Sequence, residues 1–220
     1  MSASKLLISG AASSGKTTVI SKLEKAFVIV TDNKSFPFKV PHYRYTKFNG
    51  IDEFKSTLIE KLKAYKVKYG EKPDTVVIDS VTHLYQEMHV WAKDNYKGFD
   101  IFNEMQTAVI SLNSLIETLL IGNGVNVVIT AHTTFNEGSG SFEIPAMGKF
   151  KETGGWLSLV DNATHISTEH NRRVIFNKSL KYPARSTLDI PDKQTVDEYS
   201  IVEHMKLLES ASEESDDYSI

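Results

Sequence analysis

The stretch KLLISGAASSGKTT, residues 5–18, decides the fold of this chain. Its apolar opening predicts a buried strand, and Gly10–Thr17 fits the pattern G-x-x-x-x-G-K-[ST] without exception. From Lys16 onward the apolar spacing turns helical. A glycine-rich turn between a strand and a helix N-terminus points backbone N–H groups at a phosphate, so this stretch predicts a phosphate-binding loop, or P-loop.

The P-loop implies a nucleotide, and we expect ATP with Mg²⁺. Lys16 is the candidate catalytic cation, placed to neutralise the β- and γ-phosphates, and the Thr17 hydroxyl is a candidate ligand for Mg²⁺. A glycine-rich turn with an incidental lysine is the alternative. The residues expected to bind the nucleotide are Gly10, Ala11, Ala12, Ser13, Ser14, Gly15, Lys16, Thr17 and Thr18.

A second strand, TVVIDS at residues 75–80, ends in a carboxylate. At this distance from a P-loop, Asp79 is expected to hold a Mg²⁺-bound water, and we count it with the metal-binding and catalytic residues. The alternative is an aspartate that caps the helix that follows.

A third apolar strand, Val125–Thr130, leads to Ala131-His132-Thr133. A polar side chain at this point can reach the γ-phosphate, and His132 is the candidate. Alternatively, His132 only caps the strand end. The other histidines lack metal-ligand spacing.

Strands and helices alternate along the chain, which predicts an α/β fold: a mainly parallel sheet covered by helices on both faces. A hairpin is expected from Ala163–Thr168 and Arg172–Asn177, and a short helix from Val196–Leu208. Residues 1–208 would form the ATPase core, and residues 209–220 an acidic, disordered tail.

The amino-acid composition excludes several kinds of functional site and several classes of protein. There are 220 residues and no cysteine, which excludes disulfides, zinc-thiolate sites and cysteine nucleophiles. No apolar run approaches the ~20 residues of a membrane span, and Met1–Lys5 lacks the start of a signal peptide, so a cytoplasmic protein without a membrane partner is expected. The last twelve residues hold five acids and no base. A mildly basic body with an acidic tail is typical of nucleic-acid-handling proteins, or is simply a solvated surface.

The order of these parts resembles the RecA-like branch of the P-loop ATPases, over roughly residues 5–190. The matching stretches are GAASSGKT, AFVIVTD, TVVIDSVTHL, NVVITAH and RVIFNKSLKYPA. The short length and the stretch IPAMGKFKETGGWLSLVDNATHI resemble the short phage-type members, some of which anneal single-stranded DNA. The resemblance implies an oligomeric ATPase that binds single-stranded DNA and promotes annealing or recombination.

The same resemblance implies roles for further residues. Asp32 stands where recombinases carry the glutamate that activates water, and it is one methylene shorter; otherwise it is a loop residue. Lys178 matches a lysine that crosses to the neighbouring subunit's ATP, with Lys181 as runner-up; otherwise both are exposed lysines at a strand end.

The glycine-rich stretch Asn136–Gly155 stands where recombinases place a mobile DNA-binding loop. Lys149, Phe150 and Lys151 combine charge with a ring that could stack on a base. An ordinary surface loop is the alternative.

Two other functions compete with the annealing ATPase. The first is an AAA-type ATPase, a helicase loader or remodelling factor in replication. The second is a small-molecule nucleotide kinase, which needs arginines around the transferred phosphate. The chain has four arginines and none falls in a recognisable nucleotide-site motif: Arg44, Arg172, Arg173 and Arg185. A single-strand binding protein or another replication protein is a candidate partner of this protein.

Overall fold

The structure is a computed structural model that describes residues 3–32 and 35–216. Ten strands form an eight-stranded sheet and a separate hairpin: β1 Lys5–Gly10, β2 Ala26–Val30, β3 His42–Arg44, β4 Thr75–Asp79, β5 Asn126–His132, β6 Thr134–Asn136, β7 Ser141–Glu143, β8 Asn162–Glu169, β9 Arg172–Phe176 and β10 Lys193–Thr195. The α-helices are α1 Lys16–Ile20, α2 Ile51–Tyr69, α3 Val81–Asn95, α4 Asp100–Leu115, α5 Gly148–Glu152 and α6 Ile201–Asp216.

The large sheet has the strand order β10-β9-β8-β1-β5-β4-β2-β3. Neighbours from β8 to β3 run parallel, whereas β9 and β10 are antiparallel additions at one edge. The predicted fold class, an α/β P-loop NTPase with a mainly parallel sheet and a C-terminal hairpin, is confirmed.

Both faces of the sheet are covered, because consecutive residues of a strand point to opposite faces. Leu7 of β1 belongs to an apolar cluster that includes side chains of α2, α3 and α4. Leu6 and Ile8 belong to a second cluster that includes side chains of α1 and α6. The continuous apolar strands of the sequence therefore mark a sheet buried on both sides.

The longest apolar helical run, Asp100–Asn123, combines α4 with a π-helical turn (Ile116–Leu120) and a 3₁₀ turn (Ile121–Asn123). By length and composition it is the one helical run of the described residues that could cross a membrane, with a mean hydropathy of 1.3. In this fold Val109, Leu112 and Leu120 lie in the core cluster. The run therefore serves as a core helix here, and a cytoplasmic location stays a prediction.

The C-terminal helix is longer than the sequence predicts. α6 continues past Leu208 to Asp216, so residues 209–216 are helical rather than disordered. Leu208 is buried, and Glu209 accepts a hydrogen bond from the Asn126 side chain, which ties the expected tail's first residue to the start of β5. Residues 217–220 of the predicted tail lie outside the described part of the chain.

Candidate functional site

The P-loop leaves β1 at Gly10 and enters α1 at Gly15. A Cβ at Gly10 would lie 2.6 Å from the carbonyl oxygen of Ile166 in β8, so a larger residue does not fit. Gly15 has a φ of +105°, which L side chains rarely adopt. Both glycines of the motif are thus required by the backbone, one by close approach and one by its dihedral angle.

Lys16 is folded back into the loop that it follows. Its residue is only 5% exposed, and Nζ donates to the carbonyl oxygens of Gly10 at 2.8 Å and Ala11 at 2.7 Å. Phosphate oxygens are stronger, charged acceptors for an ammonium group than carbonyl oxygens are. An anion that enters the loop would therefore offer the lysine stronger acceptors than these two carbonyl oxygens.

The predicted magnesium residues lie together. Oγ1 of Thr17 donates to Oδ2 of Asp79 at 3.1 Å, and Oγ1 of Thr130 donates to Oδ1 of the same carboxylate. Within residues 3–32 and 35–216 no cluster of three or more acidic or histidine side chains could hold a metal by itself. One carboxylate and one hydroxyl, completed by phosphate oxygens and water, suit Mg²⁺.

His132 ends β5 beside the P-loop. Its Nδ1 lies 3.4 Å from Nζ of Lys16, and its backbone N–H donates to the buried hydroxyl of Thr82 at 2.9 Å. Its ring meets that of His83 edge-on, with centroids 5.2 Å apart. The structure therefore brings His132 to the phosphate loop, as the sequence predicts, and adds His83, whose Nδ1 lies 2.8 Å from Oγ of Ser80.

Lys16, Thr17, Asp79 and His132 line one cleft of about 310 Å³, a volume typical of small-molecule sites. Asp32 lies at its wall, so the structure brings this candidate together with Lys16 and Asp79. The other lining residues include Phe36 and Phe38, whose rings meet edge-on at 5.8 Å.

The structure adds a residue that sequence reasoning passed over, Arg173. It lines the same cleft, and its Nη1 would lie 3.2 Å from a Cβ at Gly15. The only feature of the sequence that could have drawn attention to Arg173 was its place in the predicted hairpin.

Lys178, by contrast, is not among the residues that line this cleft. Its Nζ lies 3.6 Å from the Asp192 carboxylate, and its side chain is 42% exposed. The runner-up Lys181 lies with its Nζ 5.5 Å from the ring of Tyr182. A role for Lys178 across a subunit boundary therefore stays a prediction.

A buried polar contact joins Ser9, the residue before the P-loop, to His165 of β8. Oγ of Ser9 and Nδ1 of His165 share a hydrogen bond of 2.9 Å in the core. Burial, and secondarily the positive charge of Lys16, lowers the pKa of His165 to about 4, so this histidine is neutral at pH 7. Its ring stacks on Tyr182 at 4.4 Å, and Tyr182 stacks on Phe142 of β7 at 5.1 Å.

The stretch Asn136–Gly155, expected as a mobile loop, holds the β6–β7 hairpin and α5. Phe150 cannot stack on a base in this structure, because its residue is 6% exposed and its ring packs on Trp156 at 5.2 Å. Phe135, one residue before the stretch, is 52% exposed and lies 5.2 Å from Phe142. The exposed ring of this region is thus Phe135.

Comparison with known proteins gives one family. A family profile described as an AAA domain matches residues 2–188. No curated protein matches the chain. The matched region contains the P-loop, Asp79, His132 and the hairpin with Arg173. The chain therefore belongs to the AAA domain family of P-loop ATPases.

Proposed function

We propose that this protein binds ATP with Mg²⁺ and hydrolyses it. The observation that carries the proposal is the convergence of three strand ends on one cleft. The P-loop after β1 brings Lys16, the end of β4 brings Asp79, and the end of β5 brings His132. Positioned charges of this kind supply most of the catalysis in phosphoryl transfer.

Each of these side chains has a task in that reaction. Lys16 would exchange the carbonyl oxygens of Gly10 and Ala11 for phosphate oxygens. Thr17 and Asp79 would hold Mg²⁺, which would offset the negative charge of the phosphates. His132 would contact the γ-phosphate, and the Asp32 carboxylate would orient the attacking water.

A single substitution tests the nucleotide site. Lys16→Ala should reduce ATP affinity by about tenfold or more, since a charge-assisted hydrogen bond contributes roughly 1.5–3 kcal/mol. Lys22→Ala, a lysine just beyond α1, is the matched control and should bind ATP as the wild type does. The same affinity in both variants, measured by titration calorimetry, would contradict the site.

We further propose that the partner is single-stranded DNA and that the protein anneals or recombines it as a homo-oligomer. The sequence resemblance supports this, as does the exposed ring of Phe135 in the β6–β7 hairpin, which packs on Phe142 of the same hairpin and, through it, on Tyr182. Exposed rings are platforms on which bases stack, each stacked base contributing ≈ 1–3 kcal/mol.

Phe135→Ala should weaken binding of an oligo-dT strand by about tenfold. Phe99→Ala removes another exposed ring, between α3 and α4, and should not. DNA binding should also speed ATP hydrolysis, and sedimentation of the complex should show more than one copy of the chain. Equal oligo-dT affinity in both variants would contradict a role for this hairpin.

The AAA-domain match favours a second candidate, an ATPase that loads or remodels a replication protein. Against it, the described chain after β9 contains only β10 and α6, not the helical lid that such ATPases carry. A kinase is less favoured, because only Arg173 of the four arginines lines the cleft. If ATP hydrolysis responds to a replication protein, such as a single-strand binding protein, and not to oligo-dT, the remodelling function replaces the annealing one.

A further inference from the structure

Arg173 is held over the nucleotide site by the sheet itself. It belongs to β9, where it pairs with Thr168 of β8. β8 in turn runs parallel to β1, with Ile166 opposite Gly10, the first residue of the P-loop. On the other side, the Arg173 carbonyl oxygen accepts a backbone hydrogen bond from Val196 at 3.1 Å. The backbone of Arg173 is therefore fixed relative to the P-loop of its own subunit.

The side chains of β9 alternate between the two faces of the sheet, and the side chain of Arg173 lies on the face that α1 covers. Ile175, two residues on and so on the same face, belongs to the apolar cluster that contains Val19 of α1. Arg172 points to the opposite face for the same reason. The guanidinium groups of the two adjacent arginines therefore lie on opposite sides of the sheet.

The guanidinium reaches the loop where the phosphates would lie. A Cβ at Gly15 would be 3.2 Å from Nη1 of Arg173 and 3.6 Å from its Cζ. The absence of a side chain at Gly15 therefore leaves room for this group. Across residues 3–32 and 35–216, no carboxylate forms an ion pair with Arg173.

We infer that Arg173 binds the phosphate chain of the nucleotide from within the same subunit and supplies the second positive charge of the site. A guanidinium matches phosphate oxygens with two parallel N–H donors, which a lysine cannot do. The inference rests on the proposed nucleotide function. It also removes the need for a neighbour's lysine, because the site then holds Lys16 and Arg173 in one chain.

The test compares two adjacent arginines. Arg173→Ala should weaken ATP binding about tenfold, as expected for loss of one charge-assisted contact, whereas Arg172→Ala should bind as the wild type does. Arg173→Lys should recover only part of the loss. The affinities are measured by calorimetry on dilute wild-type protein and variants, with circular dichroism as the check on folding. Equal ATP affinity for Arg173→Ala and the wild type would overturn the inference.

Two controls separate this inference from the proposed function. If the wild type and Lys16→Ala bind ATP equally weakly, the nucleotide function fails; if Lys16→Ala loses affinity and Arg173→Ala does not, only the inference fails. Mixing Arg173→Ala with Lys16→Ala subunits, once mixed oligomers are shown to form, should restore no ATPase activity, because both groups act on one subunit's nucleotide. Recovered activity would place Arg173 on the neighbour's nucleotide and overturn the inference.

Discussion

Oγ1 of Thr17 lies 3.1 Å from Oδ2 of Asp79, although one residue lies in the first turn of α1 and the other ends β4. The two elements are not adjacent in the sheet, because β5 lies between β1 and β4. The first turn of α1 therefore crosses above the end of β5 to meet Asp79. The hydroxyl and the carboxylate that we expect to hold magnesium are thus hydrogen-bonded to each other in this structure.

Asp79→Asn should lower the rate of ATP hydrolysis about a hundredfold, because a neutral amide cannot fix the metal-bound water and part of the metal's charge stabilisation is lost. The amide oxygen can still accept from the Thr130 hydroxyl, and the amide N–H can donate to the Thr17 hydroxyl oxygen, so the fold should survive. A titration of Mg²⁺ against ATPase rate should show half-saturation at a higher concentration. An unchanged magnesium requirement would contradict the assignment of Asp79.

Thr130→Val should lower the free energy of unfolding by about 1–3 kcal/mol, since Oδ1 of the partly buried Asp79 carboxylate loses its donor. Thr130→Ser keeps the hydroxyl and is the matched control. Urea unfolding of the three proteins measures the difference. If the valine and serine variants unfold at the same midpoint, the hydroxyl does not stabilise the carboxylate.

Stability should fall between pH 6.5 and pH 4. Burial lowers the pKa of both His165 and His204 to about 4 in the folded protein, against about 6.5 when unfolded. As the pH falls through this window, the unfolded chain takes up protons that the folded chain does not. Each histidine should therefore cost about 2 kcal/mol of stability between pH 7 and pH 5.

His204→Gln should remove about half of that pH dependence, because glutamine does not titrate. His170→Gln, in the exposed turn between β8 and β9, is the control for replacing a surface histidine. Urea midpoints at pH 7 and pH 5 give the comparison. A His204→Gln protein with the full wild-type dependence would show that its burial does not control the titration.

Glu209→Ala should destabilise the protein by about 1 kcal/mol, because it leaves the Asn126 side chain, at the buried start of β5, without its acceptor. Glu209→Gln retains an acceptor oxygen and should cost less. Glu214→Ala, an exposed acid further along the same helix, separates a general effect of removing acids from this contact. Thermal unfolding of the three variants measures the loss of stability. Equal midpoints would contradict the anchoring of α6 through Glu209.

The parts of the site that the sequence predicts are those written in consecutive residues. The P-loop, Asp79 and His132 each follow an apolar strand directly, and parallel strands end at the same edge of a sheet. Arg173 was missed because its position depends on the pairing of β9 with β8 and of β8 with β1, which no local pattern records. Phe150 was misread for a similar reason: its ring is buried by Trp156 and Tyr85, from other elements.

Near the end of the chain, amino-acid composition alone predicts the wrong local structure. A run of acids and serines with little apolar surface predicts disorder. Helix α6 instead carries Ile201, Met205 and Leu208 onto the sheet, and the residues beyond extend a helix that already exists. Extending a helix costs far less than starting one, and an apolar face N-terminal to the acids supplies the start.

Because β1 lies in the middle of the sheet, it also affects when the nucleotide site can form during protein synthesis. Leu6 pairs with Val128 on one side and with Asn162 on the other, so β1 is completed by partners that are synthesised much later than it is. Contacts this distant in the chain form slowly, because a long loop must close before they stabilise anything. On the ribosome the P-loop therefore emerges early but stays without its sheet until β8 has been translated. A nascent chain shorter than about 170 residues should not retain nucleotide, since domains fold as units.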